Sequence, residues 1–370
     1  MATISTHFFF VGYHSSTNVL VPEALEGVPV GLAGFVLGIF GFAGVIARPI
    51  TGGLLDLGRH QLWLRVGGVA TVIAFLGYSL NLGPWGFIPF RILHGTAMGF
   101  FATGLLALVA EGLPVHRRGL GLGIFQTANT LSLFYGPLLM KNIAESFSLE
   151  LAFLLGAIST GIALISAAAI GDPKSIVKRP FPSAWTLVNP INGISKWAIL
   201  PMMIFLSTAT GYMAITGLLP KFAAARDIAG YTIFWQAAAI GQLFSRSLSG
   251  GLSDRFGRGA IIIPMLLLMS LGLITLSIAD TVPMLLVAGL VIGLANAGVQ
   301  TTISALIVDR STERDLSSSL ATYTLAWDFG AILGQTGFGL LVISLGMSNV
   351  FLSLTLLPLG AILLYFWKLR

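Results

Sequence analysis

The sequence predicts an all-α integral membrane protein, with twelve transmembrane helices in two six-helix bundles related by a parallel pseudo-two-fold repeat. Three observations predict it. Of the 370 residues, 55% are hydrophobic and only 9% are charged, whereas soluble domains carry roughly 25% charged residues. Apolar blocks recur along nearly the whole chain at the length of about 20 residues that a spanning helix needs, not in the short alternation of an outer-membrane barrel. One register of residues also recurs in the first and second halves at a constant offset.

Spans are expected at 5–25, 30–52, 62–82, 85–110, 118–140 and 149–170, and again at 197–220, 229–250, 260–279, 283–308, 316–342 and 346–368. The start of the chain has no basic n-region and no small-residue cleavage site, so it reads as a first span and not as a removed signal peptide. That span carries YHSSTN, residues 13–18. Either one face of it sees water, through His14 and Asn18, or the hydroxyls of Ser15, Ser16 and Thr17 bond back to their own helix. The second span sets Gly31, Gly34, Gly38 and Gly41 at spacings of three and four, a smooth face along which another helix can pack or slide.

The fourth span carries Arg91 and His94. An arginine well inside a span costs about 2.5–3.5 kcal/mol on insertion scales, so Arg91 is expected to face a wet cavity or, lying near the helix start, to snorkel outward. The segment Gly171 to Lys196 holds Pro173, Pro180, Pro182 and Pro190 and suits an irregular linker. It divides the chain into bundles 1–170 and 197–370. With the N-terminus in the cytoplasm, Arg59, Arg65, Arg255, Arg258 and most other basic residues fall inside, while Lys141, Lys221 and Arg226 fall outside. The positive-inside rule then puts both termini in the cytoplasm, at a cell (inner or plasma) membrane.

The halves repeat. ARPITGGLLD (47–56) and SRSLSGGLSD (245–254) match Arg48 to Arg246, Gly52 and Gly53 to Gly250 and Gly251, and Asp56 to Asp254, an offset of 254 − 56 = 198. The same offset pairs Pro22 with Pro220, Gly95 with Gly293, Glu111 with Asp309 and Gly136 with Gly334. Parallel repeats of this kind frame a midplane site in secondary transporters.

On these residues the chain resembles the major facilitator superfamily over essentially its full length. GGLLDLGRH and GGLSDRFGRG are similar to the family's G-x-L-a-D-r-x-G-r-k loop, although the first copy lacks a residue between Asp56 and Gly58. Arg59 is therefore matched less closely than Arg258, which follows Gly257 in the fuller copy. Asp56 and Asp254 can accept hydrogen bonds from a neighbouring helix start. With Glu111 and Asp309 ending the fourth and tenth helices near Arg59 and Arg258, a latch of charge pairs is expected that holds the outward-facing state; the alternative is that these charges mark topology only. RILHGTAMG resembles the family's R-x-x-q-G pattern with His94 in place of glutamine, which implies a part in proton coupling for Arg91. Gly136 and Pro137 resemble the core of a motif of its drug-exporting, proton-antiporting branch without the flanking glycines. The resemblance also implies a monomer.

Other classes fit poorly. The chain has no cysteine, hence no disulfide, thiolate metal site or cysteine nucleophile. It has no Walker phosphate loop, no HExxH and no Ser-His-Asp arrangement, so neither an enzyme nor a metal or other cofactor is expected. His7, His60 and His116 lie near ends or loops and read as surface residues, not ligands. The net charge of +6 is scattered among short connections, which indicates topology and not nucleic acid. The expected partners are a small-molecule substrate, protons and the lipid bilayer.

The embedded acid is Asp328, about twelve residues into the eleventh span and so ~18 Å along it, near the middle of a ~30 Å hydrocarbon core. It either loads and releases a proton or is a hydrogen-bonded acid that fixes packing. Its mate under the offset is Thr130 (328 − 198), so only one half carries this charge. The expectation is alternating-access, proton-coupled export of a small organic solute. Two alternatives stay open: uptake or exchange of an organic anion bound by Arg91, and a lipid-handling or sensing role of the same fold.

Overall fold

The computed structural model describes residues 1–57, 59–112, 118–171, 193–312 and 315–368, and excludes the side chains of Glu111, residues 118–124, Ser247, Asp254 and Lys368. Most of the expected linker, the expected charge roles of Glu111 and Asp254, and His116 therefore lie outside the described residues. All regular structure among the described residues is helical. The twelve units are α1 (2–24), α2 (Val30–Leu55), α3 (His60–Ser79), α4 (83–112), α5 (Arg118–Ser146), α6 (Leu149–Ala168), α7 (Lys196–Ala224), α8 (Ile233–Phe256), α9 (Gly259–Ser277), α10 (Val282–Arg310), α11 (Leu316–Leu345) and α12 (Met347–Trp367).

Membrane solvent sorts the faces. On α3, Leu62, Val66, Val69, Ile73 and Leu76 are exposed at spacings of three and four, and α9, its repeat mate, does the same with Leu267, Leu271 and Ile274, continued by Ile278 just past its end. Exposed apolar stripes of this kind are what a face turned toward lipid requires. Among the described residues, nine of the units are long and apolar enough to span by themselves. The other three, α1, α5 and α8, carry His14, Asn18, Gln126, Asn129, Gln242 and Arg246, part of the polar lining of the central cavity described below.

Between the halves, α2 packs on α11 and α5 on α8, two contacts exchanged by the repeat. The glycine face of α2 makes the first possible: a Cβ at Gly34 would stand 2.7 Å from the Gln335 carbonyl oxygen, and Gly38, Gly41 and Gly44 leave no room beside Thr336 and Asp328. Near the loop, a Cβ on Gly52 would come 2.7 Å from that of Ala321. Gly250 and Gly251 behave differently: no described atom lies within 4 Å of where their Cβ would be, so the repeat mates of Gly52 and Gly53 are not packed alike. Gly257 takes φ +89°, a turn conformation that side chains resist.

Two histidines differ from expectation. α1 begins at residue 2, so His7 lies within its first turns against α5, with Nδ1 3.0 Å from the Ala128 carbonyl and Nε2 2.7 Å from the Tyr135 hydroxyl. His60 opens α3 at 1% exposure. Neither is a surface residue.

Candidate functional site

A cavity lies between the halves, walled by α1, α4 and α5 on one side and by α7, α8, α10 and α11 on the other, with Arg48 of α2 also in its lining. Its wall joins aromatic rings, among them Tyr13, Phe125, Tyr212 and Trp327, to buried amides and cations. Of the expected residues, His14 and Asn18 line it. Ser15 and Ser16 bond back to Val11 and Tyr13 at 2.6 and 3.0 Å, whereas Thr17 Oγ1 makes no hydrogen bond, so the back-bonding expected of YHSSTN holds for two of its three hydroxyls. Asn18 sits in a π-helical turn of α1, where the Val21 N–H reaches back to the Ser16 carbonyl. Irregular turns of this type often mark functional positions. His14 Nε2 lies 2.7 Å from Asn129 Oδ1, which fixes the ring against α5.

Asp328 has no exposure and is held by Arg48, 2% exposed, across the interface between the halves. The guanidinium Nε and Nη2 both donate to the carboxylate, Nη2 at 3.2 Å to Oδ1, and Nη1 donates to Thr103 Oγ1 at 3.1 Å. Gly41 and Gly44 leave the space that the Asp328 carbonyl and carboxylate occupy. On the other side of α11, Gly330 and Gly334 bring the helix against the backbone of α7 at Ala209 and Thr210. Asp328, Gly330 and Gly334 thus set α11 between α7 and α2, with its acid facing α2.

Arg48 was legible as the mate of Arg246 in the repeat and not as a partner of Asp328; the signal was a charge in an apolar span in both copies. Arg246 also lines the cavity, as do Gln126, Gln242, Asn296 and Gln300.

Arg91 and His94 are placed otherwise than the sequence suggests. Arg91 has no exposure and is absent from the cavity lining; it neither faces water nor snorkels. It donates to the Leu37 carbonyl at 2.6 Å and the Val36 carbonyl at 3.4 Å, and stands 4.9 Å from the Phe40 ring centroid. Gly95 allows this, because a Cβ there would overlap the Phe40 carbonyl. His94 Nδ1 lies 3.2 Å from the Tyr78 hydroxyl, within a box of Phe40, Phe75 and Tyr78. Arg91→Gln is accordingly expected to lower the melting temperature of the purified protein and to leave its affinity for a cavity ligand unchanged, as thermal melting and titration would measure.

At the end that holds the loop after α2, Ser318 of α11 donates to the Asp56 carboxylate across the halves, while Arg258 pairs with Asp309 within the second half. At the opposite end, Lys141 pairs with Glu23 at 2.7 Å, the Tyr231 hydroxyl donates to Glu23 at 3.2 Å, and Lys221 donates to the Val28 carbonyl at 3.3 Å. The two lysines of that end therefore join elements and are not topology markers alone.

A sequence profile described as Major Facilitator Superfamily matches residues 3–245 and 232–370. The chain belongs to this superfamily. Among its relatives, the multidrug resistance protein MdtG of Klebsiella pneumoniae (strain 342) is 27% identical over 316 residues, covering 82% of this chain and 75% of the relative. The MdtG of Salmonella paratyphi B (strain ATCC BAA-1250 / SPB7) is 26% identical over 332 residues, covering 86% and 80%. Of solved structures, the human organic anion transporter MFSD10 superposes with a TM-score of 0.80 at 15% identity, over 98% of this chain and 97% of that one. A POT family transporter in complex with a thioalcohol-conjugated peptide gives 0.80 at 13% identity, over 100% and 94%. At such identities the structures speak for the fold alone. This superfamily member is a multi-pass membrane transporter and not an enzyme.

Proposed function

We propose that the protein is a proton-coupled exporter of small organic solutes, working by alternating access in the plasma membrane with both termini cytoplasmic. Bundles 1–170 and 197–370 are the rocking units, joined by the 171–196 linker. The observation that carries this is the ion pair Arg48–Asp328, which ties one half to the other beside the cavity. MdtG relatives described as multidrug resistance proteins favour export and breadth of substrate.

The chemistry follows from burial. An ionised Asp328 holds Arg48 and keeps α2 against α11. A proton on the carboxyl removes the charge that the guanidinium was facing, and a buried pair that loses one charge loses most of its attraction. The seam then loosens, Arg48 turns to the cavity that it already lines, and the halves can rock. Thr130, the mate of Asp328, carries no charge, so one half alone titrates. Asp56 with Ser318 serves as the latch between the halves at the cytoplasmic end, while Arg258 with Asp309 ties the loop before α9 to α10 within the second half, together with Gly52, Gly53, Arg59, Glu111, Gly250, Gly251, Asp254 and Gly257 of the loop pattern. His14 and Asn18 contact the solute, and Arg91 and His94 hold α4 to α2 behind it.

Proteoliposomes loaded with a pH-sensitive dye test the reading. Addition of transported aromatic solutes is expected to drive proton movement opposite to the solute. Solute flux that leaves lumenal pH unchanged and ignores an imposed pH gradient would contradict it.

A further inference from the structure

Arg48 and Arg246 occupy the same position in the two halves, yet their surroundings differ. Arg48 on α2 meets Asp328 of α11, and the repeat assigns the corresponding place beside Arg246 on α8 to Thr130 of α5. α5 packs on α8 as α2 packs on α11. Thr130 is buried and donates its hydroxyl to the Gln126 carbonyl at 3.3 Å. Where one arginine meets a carboxylate, the repeat offers the other only a neutral hydroxyl, and that hydroxyl is already engaged with its own helix.

Arg246 is 8% exposed and lines the cavity. Its Nη2 donates to Gln300 Oε1 at 3.1 Å, and its Nε has no hydrogen-bond partner. Among the described residues no carboxylate pairs with it, and the cavity lining contains neither aspartate nor glutamate. Asp328, just behind that wall, is neutralised by Arg48. The lining therefore carries one uncompensated guanidinium in a medium of low dielectric, a costly arrangement unless something charged comes to it. The planar fork of N–H donors fits a carboxylate, sulfonate or phosphate in two-point contact. Tyr212, Tyr323 and Trp327 supply ring faces for an apolar body in the same cavity.

We propose that Arg246 is the anion-binding group of this cavity, taking the charged head of an amphipathic organic anion where Asp328 would stand for its repeat mate Arg48. This rests on the transport function proposed above and names the substrate class of that same cavity.

The test titrates the purified full chain in detergent with 2-naphthoate and with its neutral isostere 2-naphthamide. Wild type is expected to bind the carboxylate about tenfold more tightly or better. Gln300→Glu puts a carboxylate on the atom that Arg246 already contacts, with almost no change in shape, and is expected to abolish the preference; Arg246→Gln is expected to do the same. Equal or tighter binding of the amide by wild type, binding of neither compound, or a preference that survives Gln300→Glu in a protein that melts as wild type does would overturn the inference. The dye assay on the same preparation separates the two ideas. Proton coupling without an anion preference overturns the subsite alone, whereas an Arg246-dependent preference without proton coupling supports the subsite and overturns the coupling.

Discussion

Asp328→Asn is expected to abolish pH-driven accumulation while solute exchange across the membrane survives. The substitution keeps the shape of the side chain and removes its ability to ionise. An asparagine is neutral like the protonated acid and its Oδ1 can still accept one hydrogen bond from Arg48, so the seam between α2 and α11 stays in its loosened state at every pH: the halves can rock and exchange solute, but no proton gates the motion. Removing one partner of a buried pair outright is harsher, about 3–5 kcal/mol, because the remaining charge is stranded. Arg48→Leu alone should therefore melt well below wild type, and Arg48→Leu combined with Asp328→Leu should recover much of that loss without regaining coupling. Melting curves for the four members of this cycle, run beside gradient-driven uptake and counterflow, check both halves of the claim. Gradient-driven uptake that persists in Asp328→Asn would remove the coupling role.

Gly41→Val is expected to produce the other large loss, and a different one: exchange and accumulation should fall together. The first side-chain carbon at Gly41 would overlap the Asp328 carbonyl oxygen and stand 3.1 Å from both the Ala331 Cβ and the Ile332 Cγ1. Backbone on the far side of the seam cannot rotate away as a side chain can, so α2 and α11 must separate and the Arg48 fork is pulled off its carboxylate. Overpacking of this kind costs typically 1–3 kcal/mol, occasionally more. Gly161→Ala, in α6 with nothing within 4 Å, is the matched control and should leave both activities intact. Counterflow rates for the two variants decide the matter. Normal exchange by Gly41→Val would mean that the glycine face is not where the halves are held together.

Much of this was legible because membrane solvent leaves so few choices. Span lengths follow from hydrocarbon thickness, and the offset of 198 pairs residues of the first, second, fourth and fifth helices of one half with those of the other. Asp328 stood out because an acid in an apolar run must be explained. Its partner did not, because Arg48 and Asp328 are 280 residues apart and meet only through the packing of α2 on α11. Arg91 misled for a related reason. From sequence a buried guanidinium suggests water or a carboxylate, but the Nε and Nη2 of Arg91 donate to two carbonyls of α2, brought near by the missing side chain at Gly95. The repeat also suggests equal packing at Gly52 and Gly250, whereas only Gly52 meets a described neighbour. Symmetry of sequence fixes position in the fold and leaves the surroundings free to differ, which is how one arginine acquires an acid and its mate does not.

The central claim is that protonation of Asp328 lets the halves rock, and distances across the two ends test it most directly. With no native cysteine to interfere, spin labels can be placed at exposed positions on the two halves: Glu26→Cys with Ala229→Cys at one end, Arg65→Cys with Arg255→Cys at the other. Between about pH 8 and about pH 5 one distance should lengthen as the other shortens, and both should stop responding to pH in the Asp328→Asn background. Distances that ignore pH in wild type, or that respond equally with and without the carboxyl of Asp328, would contradict it.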